Sequence, residues 1–168
     1  MSLTQERLWV MANMDGAASA AYNEPMPFEL RGPLDSHLLI QALHLLSARH
    51  EALRTRLVPA GDPALQVVDP PETGFPVTFG NLAGLPDAVE RFARARREVE
   101  CTPFRLGKEP MARCCLVALE PEYDLRLLAA HHIIFGGWTR SMPLRELGLV
   151  YTALQRGRDP SLPELTWQ

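Results

Sequence analysis

Two apolar runs joined by a short polar link constrain this chain more than any other stretch. Residues 111–119 (Met-Ala-Arg-Cys-Cys-Leu-Val-Ala-Leu) and 124–130 (Asp-Leu-Arg-Leu-Leu-Ala-Ala) flank Glu120-Pro121-Glu122-Tyr123. They read as strands, and near-continuous apolar character predicts that they pair as a hairpin near the centre of a sheet. The second run opens into His131-His132-Ile133-Ile134-Phe135-Gly136-Gly137-Trp138. A helical pattern follows from Thr139 or Met142 to Leu154, carrying Leu144, Leu147, Gly148 and Tyr151, with Gly157, Pro160 and Pro163 ending it. Two adjacent imidazoles thus fall at a strand-to-helix junction, where α/β sheets most often place chemistry.

Neighbouring side chains on an extended backbone point to opposite faces, so the two histidines cannot share one job. If one enters a cleft, the other packs into the domain. The glycines after them allow a tight turn or close backbone approach. By itself the pattern fits a functional site, and equally a buried hydrogen-bonded imidazole beside a turn.

The rest of the chain alternates helices and strands. Ser2 or Thr4 caps a helix over about 5–14, with Leu8, Trp9 and Ala12 as its apolar stripe and Asp15-Gly16 as its stop. Alternation predicts a strand over 26–31, stopped by Gly32-Pro33. Asp35 or Ser36 then opens a helix over about 37–50, whose nonpolar face holds Leu38, Leu39, Ala42, Leu43 and Leu46. Strands at 54–58 and 65–68 are a hairpin's length apart. A short strand at 77–79 and an arginine-rich helix over about 87–100 precede the central hairpin, and the arginines, balanced by nearby Glu, read as a solvated face. The order predicts an α+β fold: a mixed, mostly antiparallel sheet packed with helices, in one domain spanning 1–168.

Composition excludes several classes. Hydrophobic residues make up 46% and charged residues 22%, which is globular. A net charge of -3 gives no field favouring nucleic acid, and no apolar run approaches the roughly 18 residues of a membrane span. Cys101, Cys114 and Cys115 make no disulfide framework, which points to the cytoplasm, and no metal-ligand spacing is present. His37 and His44, seven apart on one helix, lack a carboxylate or Cys at matching spacing and read as surface or interface residues. No dinucleotide, P-loop or nucleophile-elbow pattern occurs, and Cys114 and Cys115 read as packing residues.

Three separated stretches resemble the condensation domains of nonribosomal peptide synthetases, which share the chloramphenicol acetyltransferase fold. Ser2-Leu3-Thr4-Gln5-Glu6-Arg7-Leu8-Trp9 is similar to the family's Ser-x-Ala-Gln-x-Arg-Leu-Trp. Arg49-His50-Glu51-Ala52-Leu53-Arg54-Thr55 is similar to Arg-His-Glu-x-Leu-Arg-Thr. His131 to Trp138 is similar to the His-His-x-x-x-Asp-Gly signature. Ala21-Tyr22-Asn23, Gly32-Pro33-Leu34-Asp35 and Thr102-Pro103-Phe104-Arg105-Leu106 are supporting matches in the same order.

The resemblance implies that this chain is the N-terminal lobe of a two-lobed domain, ending about where the second, C-terminal lobe would begin. The intact domain would join a donor acyl group to an acceptor amine, both thioesters on the phosphopantetheine of carrier proteins, with no metal and no directly bound cofactor. His132 would be the catalytic residue, with His131, Arg54, Gly137 and Trp138 supporting it. The partners implied are the C-terminal lobe, upstream and downstream carrier proteins and an adjacent adenylation domain. A lobe without its mate would bare its channel wall and dimerise through it. It could not enclose the reactants, so little bond formation is expected of it alone.

One position departs from the signature: Gly136 stands where the family has Asp. In the family that carboxylate is thought to pair with the arginine matching Arg54. Breaking a buried pair typically costs about 3–5 kcal/mol. Arg54 is then expected to turn outward, or to find Glu51, Asp124 or the chain terminus. The departure also motivates a rival reading, a noncatalytic recruitment domain or an inactive fragment.

Overall fold

The computed structural model describes residues 2–14, 19–32, 34–61, 64–120, 123–134 and 141–165. Helix α1 (Leu3–Met14) begins in a reciprocal cap: the Ser2 N–H donates to Gln5 Oε1 at 2.8 Å, and the Gln5 N–H donates to Ser2 Oγ at 3.3 Å. Strand β1 (Asn23–Arg31) leads to α2 (Ser36–Arg49), capped by the Asp35 carboxylate, which accepts from the N–H groups of His37 and Leu38 at 2.9 and 3.1 Å. Such a cap stabilises a helix by about 1 kcal/mol. A 3₁₀ turn (Glu51–Arg54) feeds the hairpin β2 (Thr55–Val58) and β3 (Leu65–Val68). Strand β4 (Val77–Asn81), α3 (Ala88–Cys101), β5 (Ala112–Glu120), β6 (Tyr123–His131), a 3₁₀ turn (His132–Ile134) and α4 (Ser141–Gln155) complete the order.

The main sheet runs β1-β6-β5-β4, so the β5–β6 hairpin is central as expected. β6 pairs antiparallel with both β1 and β5, whereas β4 pairs parallel with β5 after the α3 crossover. The sheet is therefore mixed and mostly antiparallel. β2 and β3 form a separate two-stranded ribbon.

Burial on both sides of the central hairpin explains its apolar runs. Cys114, Leu116, Leu128 and Ala130 alternate onto one face, where they pack with Leu39, Leu43 and Leu46 of α2 and Leu147 and Val150 of α4. Cys115, Val117 and Ala129 point the other way and are buried too, on the side where α3 runs across β1, β5 and β6. Both cysteines are thus packing residues, and Cys101 is exposed. A smaller cluster joins Leu8 of α1 to Leu57, Phe104, Leu106, Met111 and Ile133, with Trp9 and Ala12 against it. That is where the predicted stripe of α1 finds its partner.

Boundaries moved where local chemistry competed with alternation. β1 starts at Asn23 rather than 26, because its ladder with β6 runs Asn23↔His131 through Arg31↔Tyr123 and tolerates Pro25 and Pro27 on a sheet edge. Residue 54 lies in the 3₁₀ turn and not in the strand, since Thr55 Oγ1 donates back to the Glu51 carbonyl at 2.7 Å and closes that turn. The arginines of α3 form exposed pairs, Arg91 with Asp87 at 2.8 Å and Arg96 with Glu100 at 2.7 Å, as a solvated face requires.

Candidate active site

β6 ends at His131, and the alternation of its side chains decides what the two histidines face. His131 is fully buried. Its N–H donates to the Met111 carbonyl at 2.9 Å, and its Nδ1 accepts from the Ile133 N–H at 3.2 Å, which leaves the ring proton on Nε2. The Tyr22 and Phe104 rings lie 6.2 Å away, centroid to centroid. Burial pushes the His131 pKa down from 6.5 to about 4; the neighbouring His132 and Arg113 act in the same direction, and the Ser19 backbone opposes them. The imidazole is therefore neutral at pH 7.

His132 turns outward. Its N–H donates to the Tyr22 carbonyl at 2.8 Å, extending the β1–β6 ladder past His131, and the 3₁₀ turn then carries the chain off the sheet. The side chain is 49% exposed, and Nδ1 lies 2.9 Å from Glu24 Oε1. Gln5, from the opening motif, donates through Nε2 to the Ile133 carbonyl at 3.1 Å and ties α1 to the same turn. One imidazole is sealed in the core; the other is half exposed.

The second motif is mostly scaffold. His50 is buried, its Nε2 2.6 Å from Glu146 Oε2, and Arg49 Nε reaches the same oxygen at 3.3 Å. Arg49 also donates to the Pro163 carbonyl, so the end of α2 is fastened to α4 and to the segment after it. Arg54 does not turn outward: it is buried, donates through Nη1 to the Asp69 carbonyl, and has Glu51 Oε1 3.6 Å from Nη2. Of the other expected site residues, Gly136, Gly137 and Trp138 lie outside the described residues, as does the Asp124 side chain.

Sequence reasoning missed Glu24. It lies 108 residues from His132 and follows the Tyr-Asn match directly, yet nothing local joins it to the histidine. Only the β1–β6 pairing, which sets Glu24 opposite Ala130, brings the two together.

Cavities of about 620 Å³, between α2, α4 and the segment after it, and about 230 Å³, apolar, between β1, α2 and α4, are not lined by His132. The His132 side chain is itself about half exposed. No group of His, Cys, Asp and Glu among the described residues is arranged to hold a metal ion, and none of their helices is long and apolar enough to cross a membrane.

A family profile described as "Condensation domain" matches residues 1–168. The chain is 36% identical to a linear gramicidin synthase from Brevibacillus parabrevis, over all of this chain and 3% of that protein. It is 32% identical to the phosphinothricin tripeptide synthetase PhsC of Streptomyces viridochromogenes, over all of this chain and 16% of that protein. It thus spans only a small part of either relative. Among solved structures, the first condensation domain of the calcium-dependent antibiotic synthetase in complex with a substrate analogue superposes with a TM-score of 0.84 at 26% identity, covering 96% of this chain and 39% of that one. The starter condensation domain of rhizomide synthetase has the same fold, with a TM-score of 0.87 at 20% identity over 97% of this chain and 39% of that one.

Proposed function

The chain belongs to the condensation-domain family, and from that membership we propose that residues 1–168 are the N-terminal lobe of an amide-forming domain in a nonribosomal peptide synthetase. The observation that carries the proposal is the opposed facing of the two histidines. His131 is sealed and neutral, while His132 presents its ring to the open side.

In this reading the acceptor amine attacks the donor thioester carbonyl. A C–N bond forms, the C–S bond breaks, and the carrier's phosphopantetheine leaves as a thiol. His132 Nε2 takes the proton from the attacking nitrogen, as a neutral imidazole can, and passes it towards the departing sulfur. Because a thioester already stores the activation, the protein's own groups need only align and stabilise. Arg54, Gly137 and Trp138 support the segment around the histidine. The C-terminal lobe closes the channel, carrier proteins bring the two substrates, and an adenylation domain of the same cytoplasmic assembly loads them. Without the second lobe, the exposed Leu3, Val10, Met11 and Met14 of α1 give an apolar surface for self-association, read by sedimentation.

The test mixes this chain with a complementary C-terminal lobe and loaded carriers. Amide product that disappears in His132→Ala supports the reading. Tight partner binding without any product, indifferent to His132, would favour the rival recruitment reading, which none of the relatives above favours.

A further inference from the structure

We propose that Glu24 is a positioning residue, holding His132 in the tautomer protonated at Nδ1 and so leaving the Nε2 lone pair for the substrate's proton. The proposal deepens the reading of His132 given above and rests on it for its catalytic meaning.

Glu24 Oε1 lies 2.9 Å from His132 Nδ1. An ionised carboxylate can only accept, so at this distance Nδ1 must be the donor. In a neutral ring the other nitrogen is then the acceptor, and among the described residues no partner is found on Nε2. An imidazole left to water prefers its proton on Nε2, which would blunt it as a base at that atom. A carboxylate on Nδ1 reverses that preference and fixes the plane of the ring, as such partners do for metal-bound histidines.

The two side chains are brought together by backbone. The His132 N–H is bonded to the Tyr22 carbonyl at 2.8 Å, which sets the turn against the start of β1. Asn23 clamps that start from the other side, donating through Nδ2 to the Glu100 and Thr102 carbonyls at 2.8 and 2.9 Å. Glu24 follows these anchors directly, with its side chain only 24% exposed, so the carboxylate is partly shielded from competing water. The partner therefore sits on a strand held from both sides.

Nitrogen-15 spectra of the histidine rings test this on the whole chain at about pH 8, above the usual imidazole range. His132 is assigned by the signals lost in His132→Ala. The expected wild-type spectrum has a pyrrole-type Nδ1 and a pyridine-type Nε2 for His132. Glu24→Met should move the proton to Nε2, whereas Glu24→Gln, which keeps a carbonyl acceptor, should restore the wild-type pattern. His131, with its proton on Nε2, is the reference that each variant is folded.

A wild-type His132 protonated mainly on Nε2 overturns the proposal without any variant. So does an unchanged tautomer in a folded Glu24→Met. With the second lobe and loaded carriers, Glu24→Met should slow amide formation by about ten- to a hundredfold, at unchanged KM for the acceptor, with Glu24→Gln closer to wild type. Should the tautomer shift while the wild type forms no amide, positioning by Glu24 stands and the acyl-transfer reading fails. A His132-dependent amide with an unmoved tautomer gives the reverse.

Discussion

The Arg113 guanidinium carbon lies 3.7 Å from the centroid of the Phe104 ring, and the same ring meets His131 edge-to-face at an interplanar angle of 89°. One aromatic side chain thus separates a cation from the sealed imidazole. Burial holds the Arg113 pKa below its usual value, while the coulombic influence of Glu109 opposes this. Phe104 is almost fully buried, so Phe104→Ala should cost about 3–5 kcal/mol in urea unfolding. Phe104→Leu should cost less. With the ring removed, water reaches His131, and its titration should move from about 4 back towards 6.5. A titration unmoved in folded Phe104→Leu and Phe104→Ala would show that other walls dry the site.

The acid limb of stability follows from His131. Its folded pKa, about 4, is below the ordinary 6.5, so the folded state favours the neutral ring. That stabilisation is complete above about pH 6.5 and is lost as pH falls towards 4. With about 1.4 kcal/mol per pKa unit, the loss is roughly 3 kcal/mol. Asp87 has a lowered carboxyl pKa through its hydrogen bond from Arg91, and Glu109 has one although burial opposes it, because its hydrogen bonds from Arg105 outweigh that burial; the stability they give is lost only as pH falls into and below the ordinary carboxylate range. Stability measured at about pH 6.5 and 4.5 should therefore fall in the wild type and far less in His131→Gln. Equal slopes in the two proteins would remove His131 from the account.

Glu146 joins α4 to α2 by accepting from both Arg49 and His50, and its side chain is only 12% exposed. Glu146→Ala should destabilise by about 1–3 kcal/mol, the cost of leaving part-buried hydrogen-bond donors without their acceptor. Glu29→Ala, which removes the exposed pair with Arg31, should stay within about 0.5 kcal/mol. If the two variants unfold at the same urea concentration, the α2–α4 tie carries no more than a surface pair.

Local patterns announced the elements; chain-distant pairings decided the site. The two apolar runs of the 111–130 hairpin were legible because burial on both faces, seen at residues 114–117 and 128–130, makes them nearly continuous. The stripe of α1 was legible for a different reason: one face alone is buried, at Leu8 with Trp9 and Ala12 against it, and it recurs at the helical period. That His131 and His132 face opposite ways was legible from strand geometry, and which of them faces outward came from the family resemblance. Glu24 was not legible, because β1 meets β6 only through the sheet order and its register is a tertiary fact. The fate of Arg54 was legible in part: Glu51, three residues away, was among its expected partners, whereas Asp69, whose carbonyl also receives it, lies beyond the β2–β3 hairpin.

Arg54 is buried with its Nε lacking a partner, its Nη1 on a carbonyl and its nearest carboxylate, Glu51, 3.6 Å away and 45% exposed. A cation so placed is short of negative charge. The family resemblance puts a carboxylate at position 136, where this chain has glycine. Gly136→Asp is therefore expected to stabilise the fold by about 1.5–3 kcal/mol, the worth of a hydrogen bond to a charged group, and to raise Tm by several degrees. Replacing a glycine can stabilise through the unfolded chain alone, so Gly136→Asn, equal in size but uncharged, is the control. A double-mutant cycle with Arg54→Met isolates the pair: coupling of about 1 kcal/mol or more for Asp, and little for Asn, is the expected result. Equal coupling for Asp and Asn would mean that the arginine's charge is met elsewhere and that residue 136 acts only through its backbone.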